Sequence, residues 1–343
     1  MDFRLNRREL IAAAGGVAIA SSVIPDSAAS QETTWRLVDD GGSGPTPRWD
    51  HHLAADGETG LLLVFGGRDV NGTALGDTWI YDLESGAWSQ SEAAGPPPRF
   101  GSAIAEDRGR RRLYLFGGED AGTFFSDTWR FDFKAMEWRI QDDGSAVGPS
   151  PRYGLAGSMD GDNNFVISHG FTFEGRFDDT WVFDTRNKTW IDRSPAVETR
   201  PLKRCLHEMV QDSASERLVL FGGCSSGFGP CPQGDLWSFD LATGVWTNIT
   251  PASGPSARSN PAMVWDATNN RVLLLGGLAD AGYVSDLWDG RFEGDTFVWT
   301  AIGSEGPSVR GSHDAIVLDQ TMYVFGGRNN DGTLNDLWAL SID

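Results

Sequence analysis

The chain has 343 residues, 40% of them hydrophobic, which allows one large or two ordinary domains with a packed core rather than a disordered polymer. A formal net charge of −20 argues against nucleic acid and against an anionic membrane surface as partners, because both recruit Lys and Arg. The 43 glycines and 14 tryptophans together suggest many turns and many packed rings, an all-β profile.

At the N-terminus, Asn6-Arg7-Arg8-Glu9-Leu10-Ile11 places paired arginines before an apolar run from Leu10 to Ile24. That run is short for a permanent bilayer span. Small residues Ser27-Ala28-Ala29 follow, with cleavage predicted after Ala29. The segment 1–29 resembles a bacterial twin-arginine (Tat) signal peptide, the alternative being an ordinary Sec signal with a chance arginine pair. Either implies a periplasmic or secreted mature protein with no membrane insertion after signal cleavage. Residues 33–38, TTWRLV, then read as half a strand carrying one large ring, Trp35, with nothing upstream to pair with.

From there a unit recurs. An arginine opens each copy, at Arg48, Arg99, Arg152, Arg204, Arg258 and Arg310, 51 to 54 residues apart. Asp-x-Trp follows at Asp77/Trp79, Asp127/Trp129, Asp179/Trp181, Asp235/Trp237, Asp286/Trp288 and Asp336/Trp338. Gly-Gly lies between the two at Gly66, Gly117, Gly222, Gly276 and Gly326, whereas the third copy reads His169-Gly170. A second Trp closes five copies, at Trp88, Trp138, Trp190, Trp246 and Trp299. Alternating apolar residues in each copy suit strands, the glycines suit positive φ, and each Asp is expected to brace the turn before its Trp.

This pattern resembles the kelch repeat, in which each copy is one four-stranded blade of a β-propeller. The sixth copy ends at Asp343 without a closing Trp strand, and the segment 33–38 has the missing form. The expectation is therefore a single six-bladed kelch β-propeller over 33–343, its last blade completed by the N-terminal strand, with no exposed sheet edge at the seam.

Strand alternation puts the Arg-containing loops and the loops after Gly-Gly on one channel mouth. The residues expected there as ligand-binding candidates are Arg48, His51, Arg99, Arg152, Tyr153, Arg204, His207, Arg310, His313 and Arg328. A ring of guanidinium groups would suit a carboxylate or acidic sugar, although a feature present in every blade also reads as structural. Cys224 and Cys231 flank a short Gly- and Pro-containing loop and are the expected disulfide, leaving Cys205 free or buried. No CxxC, phosphate loop, nucleophile elbow or HExxH is present.

The reading from sequence is an exported monomeric binding module for a protein or a small anionic or carbohydrate ligand, with no cofactor and no metal. Two enzymes that resemble it in fold supply alternatives. A sialic acid mutarotase would imply an isomerase using Arg and carboxylate near the channel. A galactose-oxidase-like copper oxidoreductase would need two Tyr and two His, which Tyr153, Tyr283 and the His trio would have to supply.

Overall fold

The repeat becomes geometry through the short-range habits of its strands. In the computed structural model, which describes residues 34–195, 199–303 and 305–342, each copy forms one antiparallel sheet. The first blade shows the scheme: His52–Asp56, Leu61–Phe65, Thr78–Asp82 and Ala87–Gln90 pair in chain order from the centre outward. The second strand is buried along its length because it is covered on both faces, and it accordingly reads LLLVF. The outer strand is mostly exposed, apart from its Trp. In the fifth blade the two middle strands lengthen to Arg271–Ala279 and Gly282–Glu293, and a two-residue strand, Arg258–Ser259, joins the sheet.

Apolar side chains gather into six clusters among the described residues, one at each junction between blades. One of them joins Leu53, Leu62 and Val64 of the first blade to Phe325, Leu337 and Ala339 of the sixth. The ring is therefore closed by core packing as well as by backbone pairing. A blade alone would leave both of its faces wet, so each depends on two neighbours.

The N-terminal strand Trp35–Asp39 pairs antiparallel with Thr333–Ser341, with Trp35 opposite Leu340. The sheet order of the last blade runs N-terminal strand, then the three strands of the sixth copy from outside to inside. Trp35 also takes the seat of a closing Trp. A Cβ on Gly306 would lie 2.5 Å from the Trp35 indole, just as one on Gly254 would lie 2.6 Å from Trp299. The expected six blades and N-terminal closure are what the structure shows. The expected signal peptide 1–29, Thr33 and Asp343 lie outside the described residues.

Trp35 is 7% exposed and packs into the cluster between the fifth and sixth blades. Trp35→Ala is expected to cost about 3–5 kcal/mol of stability, as large-to-small changes of buried aromatics do. Urea unfolding followed by tryptophan fluorescence measures it; a midpoint equal to wild type would mean that the strand does not hold the ring shut.

Candidate functional site

The six unit arginines are almost completely buried, each 0–1% exposed. In every blade the guanidinium forks onto the Asp of Asp-x-Trp, Nη1 donating to Oδ1 at 2.5–2.8 Å and Nη2 to Oδ2 at 2.8–2.9 Å. Nη1 also donates to the carbonyl of the first Gly, or of His169 in the third blade, at 2.9–3.1 Å. Nε donates to the carbonyl two residues upstream. The Trp indole Nε1 completes the knot by donating to the same Asp at 2.6–2.8 Å. The buried guanidinium thus forks onto a half-buried carboxylate and two carbonyls, the partners its burial demands.

This corrects the expected anion-binding ring. Arg48, Arg99, Arg152, Arg204, Arg258 and Arg310 face the Asp of their own blade, and none presents its fork to the mouth. It also corrects the expected partner of the Asp, which is the arginine rather than the preceding turn. Burial would raise Asp77, Asp235, Asp286 and Asp336, but the hydrogen bonds and charge of their arginines, with the indole, outweigh it and hold each carboxyl below its usual range.

The main chain of the same arginines ties neighbouring blades. The second Gly of each pair donates to the next blade's Arg carbonyl at 2.8–2.9 Å, including Gly327 to Arg48 across the closure. Gly needs no Cβ there: one on Gly66 would stand 2.7 Å from the Arg99 carbonyl. Two residues past each Arg, the left-handed residues Asp50, Gly101, Gly154, Leu206, Asn260 and Ser312 form a closed ring. Each donates its N–H to the carbonyl of the one before, at 2.7–3.1 Å. These six line one end of the central channel, whose cavity is about 370 Å³.

The channel wall is mostly small and apolar, with a carboxylate from each of three blades: Glu106, Glu208 and Asp314. Two of them satisfy the free edge of the first blade's inner strand. Asp314 accepts from the Leu53 N–H at 2.8 Å, and Glu106 from the Ala55 N–H at 2.5 Å and from Arg108 Nε at 3.0 Å. Glu208 lines the same channel as Asp314 and is enclosed by its wall, although part of its surface is accessible. Burial, then the Asp314 charge, pushes its carboxyl well above the ordinary value. Burial likewise raises Glu106.

On the face where the arginines lie, symmetry breaks one residue later. The position after Arg is Trp49, Phe100 and Tyr153 in blades one to three, but Cys205, Ser259 and Gly311 in blades four to six. The three rings continue into the loops of the second and third blades: Phe124 lies 6.0 Å from Tyr153, Phe171 5.6 Å from Tyr153, and Phe173 4.9 Å from Phe124. Phe173 is 74% exposed. At the other end Trp49 carries two guanidinium groups, Arg328 at 3.7 Å and Arg68 at 4.5 Å, with Arg68 also 3.3 Å from the Phe100 ring. The result is an aromatic crescent over half the mouth. Burial first, then nearby acidic groups, push the Tyr153 phenol up to about 12, so it remains a hydrogen-bond donor.

Comparison with known proteins covers the same repeated region. Residues 27–223 and 211–343 match the sequence profile of the KLHDC2/KLHL20/DRC7 Kelch-repeats domain. The chain belongs to the kelch-repeat family. It is similar to Acyl-CoA-binding domain-containing protein 4 of Arabidopsis thaliana, 36% identical over 195 residues, covering 55% of this chain and 28% of that protein. It is 24% identical over 371 aligned residues to Host cell factor 1 of Rattus norvegicus, covering 95% of this chain and 18% of that one. Putative adagio-like protein 2 of Oryza sativa subsp. japonica is 27% identical over 337 residues, covering 91% and 52%. The chain thus spans between about a fifth and a half of these relatives.

Within this kelch propeller the three expected histidines do not face the mouth. They sit three residues after Arg and wedge against the preceding blade: His51 against Phe325 at 5.2 Å, His207 against His169 at 5.3 Å, and His313 beside Gly276. Burial, followed by neighbouring positive charges, holds all three well below the usual histidine range, so they are neutral. The structure therefore does not bring the His trio together with Tyr153 and Tyr283 as a copper site requires. Among the described residues no three His, Cys, Asp or Glu side chains are spaced to hold a metal ion. Of the expected site residues, the structure gathers Tyr153 and Arg328 onto the crescent. The sequence reading missed Trp49, Phe100, Phe124, Phe171 and Phe173, although aligning the residue after each Arg exposes the first two. Cys224 and Cys231 form the expected disulfide, and Cys205 is a buried thiol beside it.

Two outcomes test this account. Arg204→Ala strands Asp235 and the Gly222 carbonyl, and breaking such a buried pair is expected to cost about 3–5 kcal/mol in urea unfolding. Glu208→Gln tests the channel. Since the folded carboxyl titrates above the unfolded one, its stability is complete below the unfolded value of about 4.3 and is lost as pH rises through the folded value. The amide variant is therefore expected to melt roughly 2–4 °C above wild type near pH 8 and level with it near pH 4. A pH-independent difference in calorimetry would mean that Glu208 is not buried as described.

Proposed function

We propose that this kelch protein is an exported binding module that holds a protein partner on the aromatic crescent of blades one to three. The observation that carries the reading is Phe173, three-quarters exposed yet packed on Phe124 in a chain of rings that runs through Tyr153 to the buried Phe100, with Arg68 bridging Phe100 to Trp49. Large exposed rings on a rigid frame supply contact area at low entropic cost, and aromatic and Arg side chains dominate interface energetics. Two other loops on this face also end in exposed apolar residues, Val70 at 65% and Phe228 at 52%. Export rests on the arginine pair and apolar run of the N-terminal segment.

A small acidic ligand has weaker support, because the guanidinium forks that would bind it are already occupied by aspartates. Arg328 and Arg68 remain at the crescent, and they favour a partner with an acidic residue beside its apolar segment.

A photo-crosslinking residue at position 173, compared with one at Val245 on the outer strand, tests the module in cells of the source. A specific adduct is expected only from 173, and Tyr153→Ala with Phe173→Ala should weaken that partner's binding at least about tenfold. Equal adducts from both positions would overturn the crescent. Catalysed mutarotation of N-acetylneuraminate by the purified protein would overturn the binding-module reading in favour of an isomerase.

A further inference from the structure

The position after Arg204 is occupied by a thiol, and its surroundings are unlike those of an inert buried cysteine. Cys205 and Cys224 are directly opposite residues of an antiparallel bridge: the Cys205 N–H donates to the Cys224 carbonyl at 3.1 Å, and the Cys224 N–H to the Cys205 carbonyl at 2.8 Å. Such a pair points both side chains to the same side of the ribbon, with Cα atoms about 5.5 Å apart, inside the span of a disulfide. The thiol is 3% exposed, and its neighbour Cys224 is already linked to Cys231. Cys231 is exposed. The Arg176 guanidinium reaches Cys224 Sγ with Nη2 at 3.6 Å, while Nε holds the Cys224 carbonyl at 3.0 Å and Nη1 the Ser226 carbonyl at 2.6 Å.

We propose that Cys205 is the resolving thiol of an internal disulfide exchange, alternating the 224–231 bond with a 205–224 bond. Deprotonated Cys205 attacks Sγ of Cys224 and forms the new S–S bond as the Cys224–Cys231 bond breaks. The electron pair leaves on Cys231, whose thiolate takes a proton from water. One disulfide and one thiol exist before and after, so no oxidant or reductant is consumed. Cys224 is the sulfur attacked because it is the one paired with Cys205. Its bonded partner Cys231 is then the leaving group, and at the surface its thiolate is solvated. Burial raises the Cys205 thiol, with Arg176 opposing it, so exchange is slow near neutrality and accelerates with pH.

The exchange alters the rim next to the crescent. The disulfide closes the loop whose tip is Phe228, and Arg176, which holds that loop, also lies 5.2 Å from the Phe171 ring. Moving the bond to Cys205 unties the loop's C-terminal end and leaves Cys224 anchored.

The test uses the whole protein purified without reductant and held with iodoacetamide near the usual thiol value of about pH 8.5. Cleavage with trypsin and then chymotrypsin separates the three cysteines, since Phe228 stands between Cys224 and Cys231. Mass spectrometry is expected to find peptides joined through Cys205 and Cys224, with alkylated Cys231 accumulating over time. In Cys205→Ser, alkylation of Cys231 should fall at least about tenfold, the intact 224–231 bond persisting. Equal alkylation of Cys231 in the variant and the wild type would overturn the proposal, as would wild type labelled at Cys205 alone. In Cys231→Ser, glutathione disulfide should link Cys205 to Cys224 without loss of the folded circular-dichroism spectrum. Two unlinked thiols in that folded variant would show that the pair cannot meet.

Discussion

A guanidinium group taken out of water keeps its charge and its five N–H donors, so every donor must meet an acceptor inside the protein. This propeller engages four of the five donors six times with one arrangement: a forked aspartate, the Gly or His carbonyl ahead of it, and the arginine's own upstream carbonyl, and in the first, fifth and sixth blades Nη2 adds a Thr or Ser hydroxyl. The demand explains why the repeat is spelled as it is. Asp stands 26 to 31 residues after Arg because that length spans two strands and returns. Trp comes two residues after Asp because its indole shares the same carboxylate. The side chain organises its own blade, while the arginine's N–H and carbonyl bind the preceding one. Order within blades and order between blades are therefore coupled through a single residue type.

The consequence is a ring with no independent parts. Each junction has its own apolar cluster, but the clusters alone would not fix the angle between blades, since apolar contact is not directional. Direction comes from the backbone staples and from the closed ring of left-handed residues around the channel. The sixth junction has the same staple as the others, Gly327 to Arg48, and adds the N-terminal strand on the outside. Closure is thus made at both radii, near the axis by hydrogen bonds and at the rim by the pairing of Trp35–Asp39 with Thr333–Ser341.

Repetition made the fold legible from sequence, and repetition also limited what could be read of the site. The spacing of Arg, Gly-Gly and Asp-x-Trp gave the blade count, and TTWRLV gave the seam. A repeated residue announces that every blade needs it without saying what it touches. The arginines were consequently placed at the mouth, although their partners lie a strand pair away and only the three-dimensional return brings them together. The channel carboxylates escaped for a different reason. Glu208 and Asp314 stand four residues after their arginines (208 − 204 and 314 − 310), but Glu106 stands seven after its own (106 − 99), so no single column of the repeat contains them.

Function in such a ring has to use the positions that the ring does not. His169 shows what happens otherwise. It replaces the first Gly of the pair, adopts φ +60, and is held there by Ser168 Oγ at 2.6 Å from Nδ1 and by packing on His207 and Trp246. A departure at a framework position thus recruits a set of neighbours around it. The residue after Arg is different: Trp, Phe, Tyr, Cys, Ser and Gly all occupy it while the knot and staple on either side keep their distances. Its side chain belongs to neither the knot nor the staple, whether half-buried, as Trp49 and Tyr153 are, or buried, as Phe100 and Cys205 are. Trp49, Phe100 and Tyr153 of the aromatic crescent and the thiol of Cys205 all stand in that one column, consecutive around the axis. A scaffold so uniform leaves chemical variety where its own hydrogen bonds end, and that is where this chain has placed it.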